Sequence, residues 1–190
     1  MESGIICILL PLHLYILTIP KMKTKHIYLL AGIMLFFAGS VFVLHKVSSA
    51  LQKKKEQYAN LPDFRLSDLN GDTVSNTTID RNQTTLFYFF DPDCSFCHEM
   101  LDGLSIRPNE FSGFQVLLIT ILPKGTIKDF FNEIDFRPSE NIKILFDENA
   151  ELISLLDIKG PPASFIYKDA MLVKRFDGPV TVKTLIKYLQ

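Results

Sequence analysis

The chain has 190 residues, a net charge of −1 and 47% hydrophobic residues, which fits one domain of ordinary size plus an apolar segment. The balanced charge gives no electrostatic argument for nucleic-acid binding. Three cysteines, Cys7, Cys94 and Cys97, are too few for a disulfide framework or for a four-thiolate zinc site within one chain.

Two apolar segments, residues 5–20 and 27–44, flank a basic cluster at residues 21–26. The second segment has eighteen uncharged residues, close to the ~20 that cross a bilayer as a helix. Translation beginning at Met22 would make the first segment an over-extended start; otherwise the chain has two hydrophobic segments and a short basic loop. Cys7 is then a small apolar residue. Because positive charge marks the cytoplasmic side, both interpretations export everything after Leu44.

Residues 1–45 are therefore predicted to contain a membrane anchor, with a polar stalk at 46–60 and a folded domain at 61–190. Small residues at 47–50 suggest a cleavage site, but the apolar run exceeds the ~7–15 residues of a signal peptide. We expect the anchor to be retained in the cell membrane, with the domain on the periplasmic, extracytoplasmic side.

The folded domain alternates predicted strands and helices before ending in a strand pair and a helix, which predicts an α/β fold with a central mixed sheet. The predicted strands are 64–66, 73–75, 84–90, 114–122, 142–146, 163–167 and 171–176. The predicted helices are 94–105, 126–134, 150–156 and 180–189.

A C-x-x-C pair follows the aromatic strand 84–90 and the turn Asp91-Pro92-Asp93. If the next stretch is a helix, Cys94 lies at its N-terminus, where the helix dipole favours an anion. Cys97 lies one turn further, within reach of a mixed disulfide on Cys94. Asp91 and Asp93 are expected to be turn and N-cap residues, and Phe96 is the aromatic side chain expected to be exposed.

The chain resembles the thioredoxin superfamily, in particular its TlpA/ResA-like membrane-anchored thiol-disulfide oxidoreductases. Four stretches are similar to motifs of that family: residues 62–71 at the opening, 89–97 around the C-x-x-C, 158–163 around a cis-proline, and Asp177-Gly178.

The resemblance implies a thioredoxin-like fold, after an N-terminal transmembrane segment, and roles for several residues. Cys94 would be the nucleophile and Cys97 the resolving thiol of a redox-active disulfide. Pro162, in cis, would bind substrate together with Pro161 and Phe96. It implies no metal or cofactor, protein thiols and disulfides as substrates, a membrane electron donor, and a reducing role toward protein thiols or apocytochrome c.

The chain departs from the family pattern at three places. Many thioredoxins carry a buried acid six residues before the first cysteine, where this chain has Tyr88. Ala163 replaces the threonine that often follows the cis-proline, and Ser95-Phe96 is an unusual dipeptide between the cysteines.

Three other functions are compatible with parts of the sequence. The Pro62-Asp63-Phe64 opening is similar to that of peroxiredoxins and suggests a thiol peroxidase, although Asp91 stands where a threonine is expected. Cys94 to His98 reads as the c-type haem motif C-x-x-C-H, but no later histidine offers a second axial ligand. A thioredoxin-like binding module with passive cysteines is the third alternative.

Overall fold

The computed structural model describes residues 24–190. The chain divides into two compact units between Leu51 and Gln52. The segment 5–20, Cys7 and the candidate start Met22 lie outside the described residues.

Helix α1 spans Thr24–Gln57 and carries the apolar run. Its portion Thr24–Lys53 is long and apolar enough to cross a membrane. The large apolar side chains described there, from Tyr28 to Leu51, are exposed. Such a helix needs an apolar surrounding, which a bilayer supplies.

The predicted boundary between the stalk and the folded domain, at residue 61, lies shortly after the end of α1 at Gln57. The helix continues through most of the predicted stalk 46–60, and the segment after Gln57 belongs to the second unit and packs within it. Tyr58 packs edge-on against Phe165, and the N–H of Leu61 donates to the carbonyl of Ala170 at 2.7 Å.

The second unit contains seven strands and five further helices. The strands are β1 Arg65–Asp68, β2 Thr73–Ser75, β3 Thr85–Phe89, β4 Gln115–Thr120, β5 Ile142–Phe146, β6 Ala163–Lys168 and β7 Met171–Asp177. The helices are α2 Ser95–Ile106, α3 Pro108–Phe111, α4 Lys124–Glu133, α5 Glu151–Leu155 and α6 Val182–Leu189. The four-residue α3, with Pro108 at a position where proline favours a helix start, was not predicted.

The strands form one mixed sheet in the order β2-β1-β5-β4-β3-β6-β7. Strands β3, β4 and β5 are parallel, whereas the remaining neighbours are antiparallel. The crossovers through α2 and α4 move in one direction along the sheet, so right-handed connections place both helices on the same face. The return through α5 to β6 uses the opposite face. The central mixed sheet flanked by helices was predicted correctly.

Two hydrophobic cores lie on the two faces of the sheet, and alternate residues of β3 enter each of them. The α2-side core contains Leu86 and Tyr88 with residues of α2, α4 and α6. The α5-side core contains Phe87 and Phe89 with Phe165 and Leu152. Because the side chains of a strand alternate between faces, successive residues of β3 contribute to different cores.

Candidate active site

The turn after β3 presents Cys94 at the start of α2. The side chain of Asp91 accepts a hydrogen bond from the N–H of Asp93 at 2.8 Å, and its carbonyl accepts from the N–H of Cys94 at 3.1 Å. Cys94 is itself the N-cap residue, and its carbonyl accepts from the N–H of Cys97 at 2.9 Å. Asp91 is thus a turn residue as predicted, whereas the cap position belongs to Cys94 and not to Asp93.

The two cysteines differ in their access to solvent. Cys94 is half-buried, while Cys97 is 0% exposed and lies in the α2-side core; both are free thiols. Burial raises the pKa of the Cys97 thiol, and the adjacent Cys94 acts in the same direction. Hydrogen bonds from the backbone of Asp91 and the side chain of Tyr88 oppose this shift. The first thiol can therefore meet a substrate, and the second is held protonated inside the protein.

Tyr88, the residue at the position of the expected buried acid, contacts Cys97. Its side chain is 1% exposed, and its hydroxyl lies within hydrogen-bonding reach of the Cys97 sulfur. Burial, followed by the charge of Cys97, raises the pKa of Tyr88 far above its usual range. The phenol therefore stays protonated and acts as a hydrogen-bond donor.

The loop that contains Pro161 and Pro162 lies at the same end of the sheet as the thiols. The Pro161–Pro162 peptide is cis, as the resemblance implied. Phe89 at the end of β3 pairs with Ala163, which directly follows Pro162. A cavity of about 240 Å³ is lined by both Asp91 and Pro161, together with Ile121 and Ile158. Phe96, between the cysteines, is 52% exposed, as expected.

His98 is engaged with the turn that precedes Cys94. Its Nε2 lies 2.5 Å from the carbonyl oxygen of Pro92, and its ring packs edge-on against Phe130. A c-type haem would need both thiols and the imidazole to face one ligand, but Cys97 is enclosed and Nε2 is already bonded. These residues do not fit a haem. Within residues 24–190, no cluster of three His, Cys, Asp or Glu side chains is suited to a metal ion.

Arg175 of β7 supports the proline loop, and sequence reasoning missed it. Its Nη1 donates to the carbonyl of Leu156 at 2.9 Å and its Nη2 to that of Asp157 at 3.2 Å, just before the loop. The guanidinium also lies 4.8 Å from the ring centroids of Tyr58 and Phe165. No sequence motif predicts this role, because Arg175 follows Lys174 and precedes Phe176 in an ordinary mixed strand.

The fold is shared by several solved structures of bacterial proteins. StoA from Bacillus subtilis is 18% identical with a TM-score of 0.56, and the match covers 70% of this chain and 99% of that one. An exposed lipoprotein thioredoxin from Streptococcus pneumoniae is 20% identical, covering 67% and 97% with a TM-score of 0.56. A thiol:disulfide interchange protein of the thioredoxin family from Chlorobium tepidum is 18% identical, covering 69% and 93% with a TM-score of 0.57. These likenesses establish the thioredoxin-like fold.

The fold places the chain in the class of thioredoxin-like α/β proteins. The chain belongs to the AhpC/TSA family, whose sequence profile matches residues 33–177. A comparison with curated protein sequences gave no match. Family and fold together make the protein a thiol-disulfide oxidoreductase, consistent with the TlpA/ResA-like branch.

Proposed function

We propose that the protein is an exported, membrane-tethered oxidoreductase that exchanges disulfides through Cys94 and Cys97. The observation that carries the proposal is the asymmetry of the pair: Cys94 is accessible at a helix N-cap, and Cys97 is enclosed within the first turn. An accessible thiol attacks or is attacked first, and an enclosed neighbour resolves the mixed disulfide without competing for substrate.

The substrates in this proposal are protein thiols and disulfides, and the net direction is reductive. The cis-proline loop offers backbone to an extended substrate segment, which is one way that a polypeptide is held beside a reactive group. Pro161, Pro162 and the exposed Phe96 are the proposed contact residues. The reductive direction follows the family resemblance, apocytochrome c being one candidate substrate, and requires electrons from a membrane donor.

Insulin reduction by the full-length protein in detergent tests the chemistry. We expect turnover by the parent chain and none by Cys94→Ser; equal activity in the two would reject the mechanism. Acid-trapping the thiols in cells tests the direction. A mostly reduced pair supports a reductase, whereas a mostly oxidised pair contradicts it.

The tether and its orientation form the second part of the proposal. Helix α1 is long and apolar enough to span a bilayer, and the basic residues near its start favour the cytoplasmic side. Protease added to intact spheroplasts is expected to digest residues after Gln57. Protection of that domain until lysis would contradict export.

A thiol peroxidase is the second candidate, supported by the AhpC/TSA match and by the Pro62-Asp63-Phe64 opening. Rapid oxidation of the reduced protein by stoichiometric hydrogen peroxide would favour it. Slow oxidation together with fast insulin reduction would favour disulfide exchange.

A further inference from the structure

A tyrosine hydroxyl on the sheet lies next to the buried Cys97 thiol. Tyr88 shares its face of β3 with Leu86, and this face forms the floor of the α2-side core beneath Cys97. Both side chains are almost fully enclosed, so water does not compete for the contact between hydroxyl and sulfur. A hydrogen bond to a charged group in such surroundings is stronger than one at the surface.

We propose that Tyr88 donates a hydrogen bond to the Cys97 sulfur and stabilises the thiolate that Cys97 forms before it resolves a mixed disulfide. This inference rests on the proposed function, because it assigns the resolving step to Cys97.

The resolving step does not require a protein carboxylate to accept the proton of Cys97. Cys97 attacks the Cys94 sulfur of the mixed disulfide, the Cys94–Cys97 bond forms, and the bond from Cys94 to the substrate sulfur breaks. The departing substrate sulfur takes the electron pair and then the proton that Cys97 loses. Tyr88 keeps its own proton throughout, and its raised pKa is consistent with a donor that does not ionise.

The proposal predicts different effects on the two steps of the reaction, attack by Cys94 and resolution by Cys97. Cys94 attacks first and faces solvent, so loss of the Tyr88 hydroxyl is expected to leave its attack unchanged. Resolution by Cys97 is expected to slow. Suppose that loss of the hydroxyl lowers the population of the Cys97 thiolate about tenfold. The remaining thiolate is intrinsically more nucleophilic, so the rate of resolution is expected to fall only about threefold.

Stopped-flow reaction with the aromatic disulfide DTNB measures both halves. Attack by Cys94 releases one coloured thiolate, and resolution by Cys97 releases the second, with the Cys97 proton passing to water. All variants are full-length, in detergent, and carry Cys7→Ser so that the third thiol is silent. Tyr88→Phe is compared with Tyr167→Phe, which removes a hydroxyl of similar burial on the opposite face.

We expect Tyr88→Phe to slow the second release about threefold between pH 6 and pH 8, in parallel with the parent profile, and to leave the first release unchanged. Tyr167→Phe is expected to change neither. Equal slowing of both releases, or a second release within 1.5-fold of the parent rate, would overturn the proposal. Absence of a first release dependent on Cys94 would instead refute the proposed function.

A second variant keeps the test decisive if Tyr88→Phe fails to fold. Site-specific incorporation of 3,5-difluorotyrosine at position 88 retains the shape of the ring and makes the phenol a stronger hydrogen-bond donor. The second release is then expected to be faster than in the parent; an unchanged or slower release would contradict the proposal.

Discussion

The two faces of the sheet carry cores of similar character but different chemistry. Each encloses one tyrosine: Tyr88 on the α2 side is 1% exposed, and Tyr167 on the α5 side is 2% exposed. The hydroxyl of Tyr88 meets the Cys97 sulfur, whereas that of Tyr167 donates to the carbonyl of Tyr58 at 3.2 Å. On one face a buried tyrosine therefore contacts a cysteine of the C-x-x-C pair. On the other face a buried tyrosine donates a hydrogen bond to the segment after α1.

Burial alone does not identify a functional polar group. What distinguishes Tyr88 is its partner, a sulfur whose charge changes during the proposed reaction. The partner of Tyr167 is a backbone carbonyl whose charge never changes. We therefore expect substitution of Tyr88 or Cys97 to alter reaction steps, and substitution of Tyr167 or its neighbours to alter stability.

The largest expected effect comes from removing Cys97, the proposed resolving thiol on the α2 side. In a Cys7→Ser background, Cys97→Ser is expected to release a single coloured thiolate per chain from DTNB and to remain as a mixed disulfide on Cys94. Mass spectrometry of the quenched protein detects this adduct. Release of a second thiolate at the parent rate would show that Cys97 does not resolve.

A substitution that creates a cavity on the α5 side is expected to reduce stability without altering the reaction steps. Phe165 is fully buried, packs edge-on against Phe89 and Tyr58, and lies beneath the guanidinium of Arg175. Phe165→Ala is expected to lower the free energy of unfolding by about 3–5 kcal/mol, because it removes contacts and leaves a cavity.

Denaturant unfolding measures this loss, and the two DTNB releases provide the control. Where the Phe165→Ala protein remains folded, the ratio of the two release rates is expected to match that of the parent. A selective change in the second release would mean that the two faces are not chemically separate.

Alkaline pH is expected to destabilise the reduced protein because Cys97 is buried in the α2-side core as a protonated thiol. The pKa of Cys97 is raised in the folded state, while an unfolded cysteine ionises near about pH 8.5. Between these values the folded state retains a proton that the unfolded state has lost. The free energy of unfolding is therefore unaffected by ionisation of Cys97 below about pH 8.5. Above that pH it falls by up to about 1.4 kcal/mol per pH unit.

Unfolding of the reduced protein at a series of pH values measures this slope. Cys97→Ala is expected to have a shallower slope, because it lacks the thiol. Identical slopes in the two proteins would contradict the burial of a protonated Cys97.

The sequence predicted the elements that depend on local pattern and missed contacts made through space. Strand β5 at Ile142–Phe146 was predicted to the residue, because it is a short apolar run bounded by polar residues. The C-x-x-C pair was visible in the sequence itself, whereas the cis form of Pro162 followed from the family resemblance.

The contacts of Tyr88 and Arg175 were not predicted, since each depends on how separate elements pack. Sequence reasoning identified Tyr88 only as a replaced acid. Its contact with Cys97 requires both the face that it shares on β3 and the position of α2 above that face. Arg175 meets the end of α5 only because β7 extends the sheet on the far side of β6.

A smaller effect is expected from Ser164, which lies opposite Tyr88 in the β3–β6 pair. Its hydroxyl is buried and has no hydrogen-bond partner within the part of the chain that the structure describes. An unsatisfied buried hydroxyl is costly, so Ser164→Ala is expected to raise the free energy of unfolding by about 1 kcal/mol. Thermal unfolding measures the gain, and a loss of stability would contradict the interpretation.

A change of similar size but opposite sign is expected from Tyr167→Phe, which tests the structural role of the second buried tyrosine. The substitution leaves the ring in place, with Phe87 at a centroid distance of 5.2 Å, and removes only the hydrogen bond to Tyr58. We expect a loss of about 1 kcal/mol in the free energy of unfolding. We also expect faster hydrogen exchange around Tyr58, because its carbonyl loses a partner, and unchanged release rates with DTNB. A slowed second release in Tyr167→Phe would abolish the distinction between the two tyrosines, since it would show that either buried hydroxyl affects the resolving thiol.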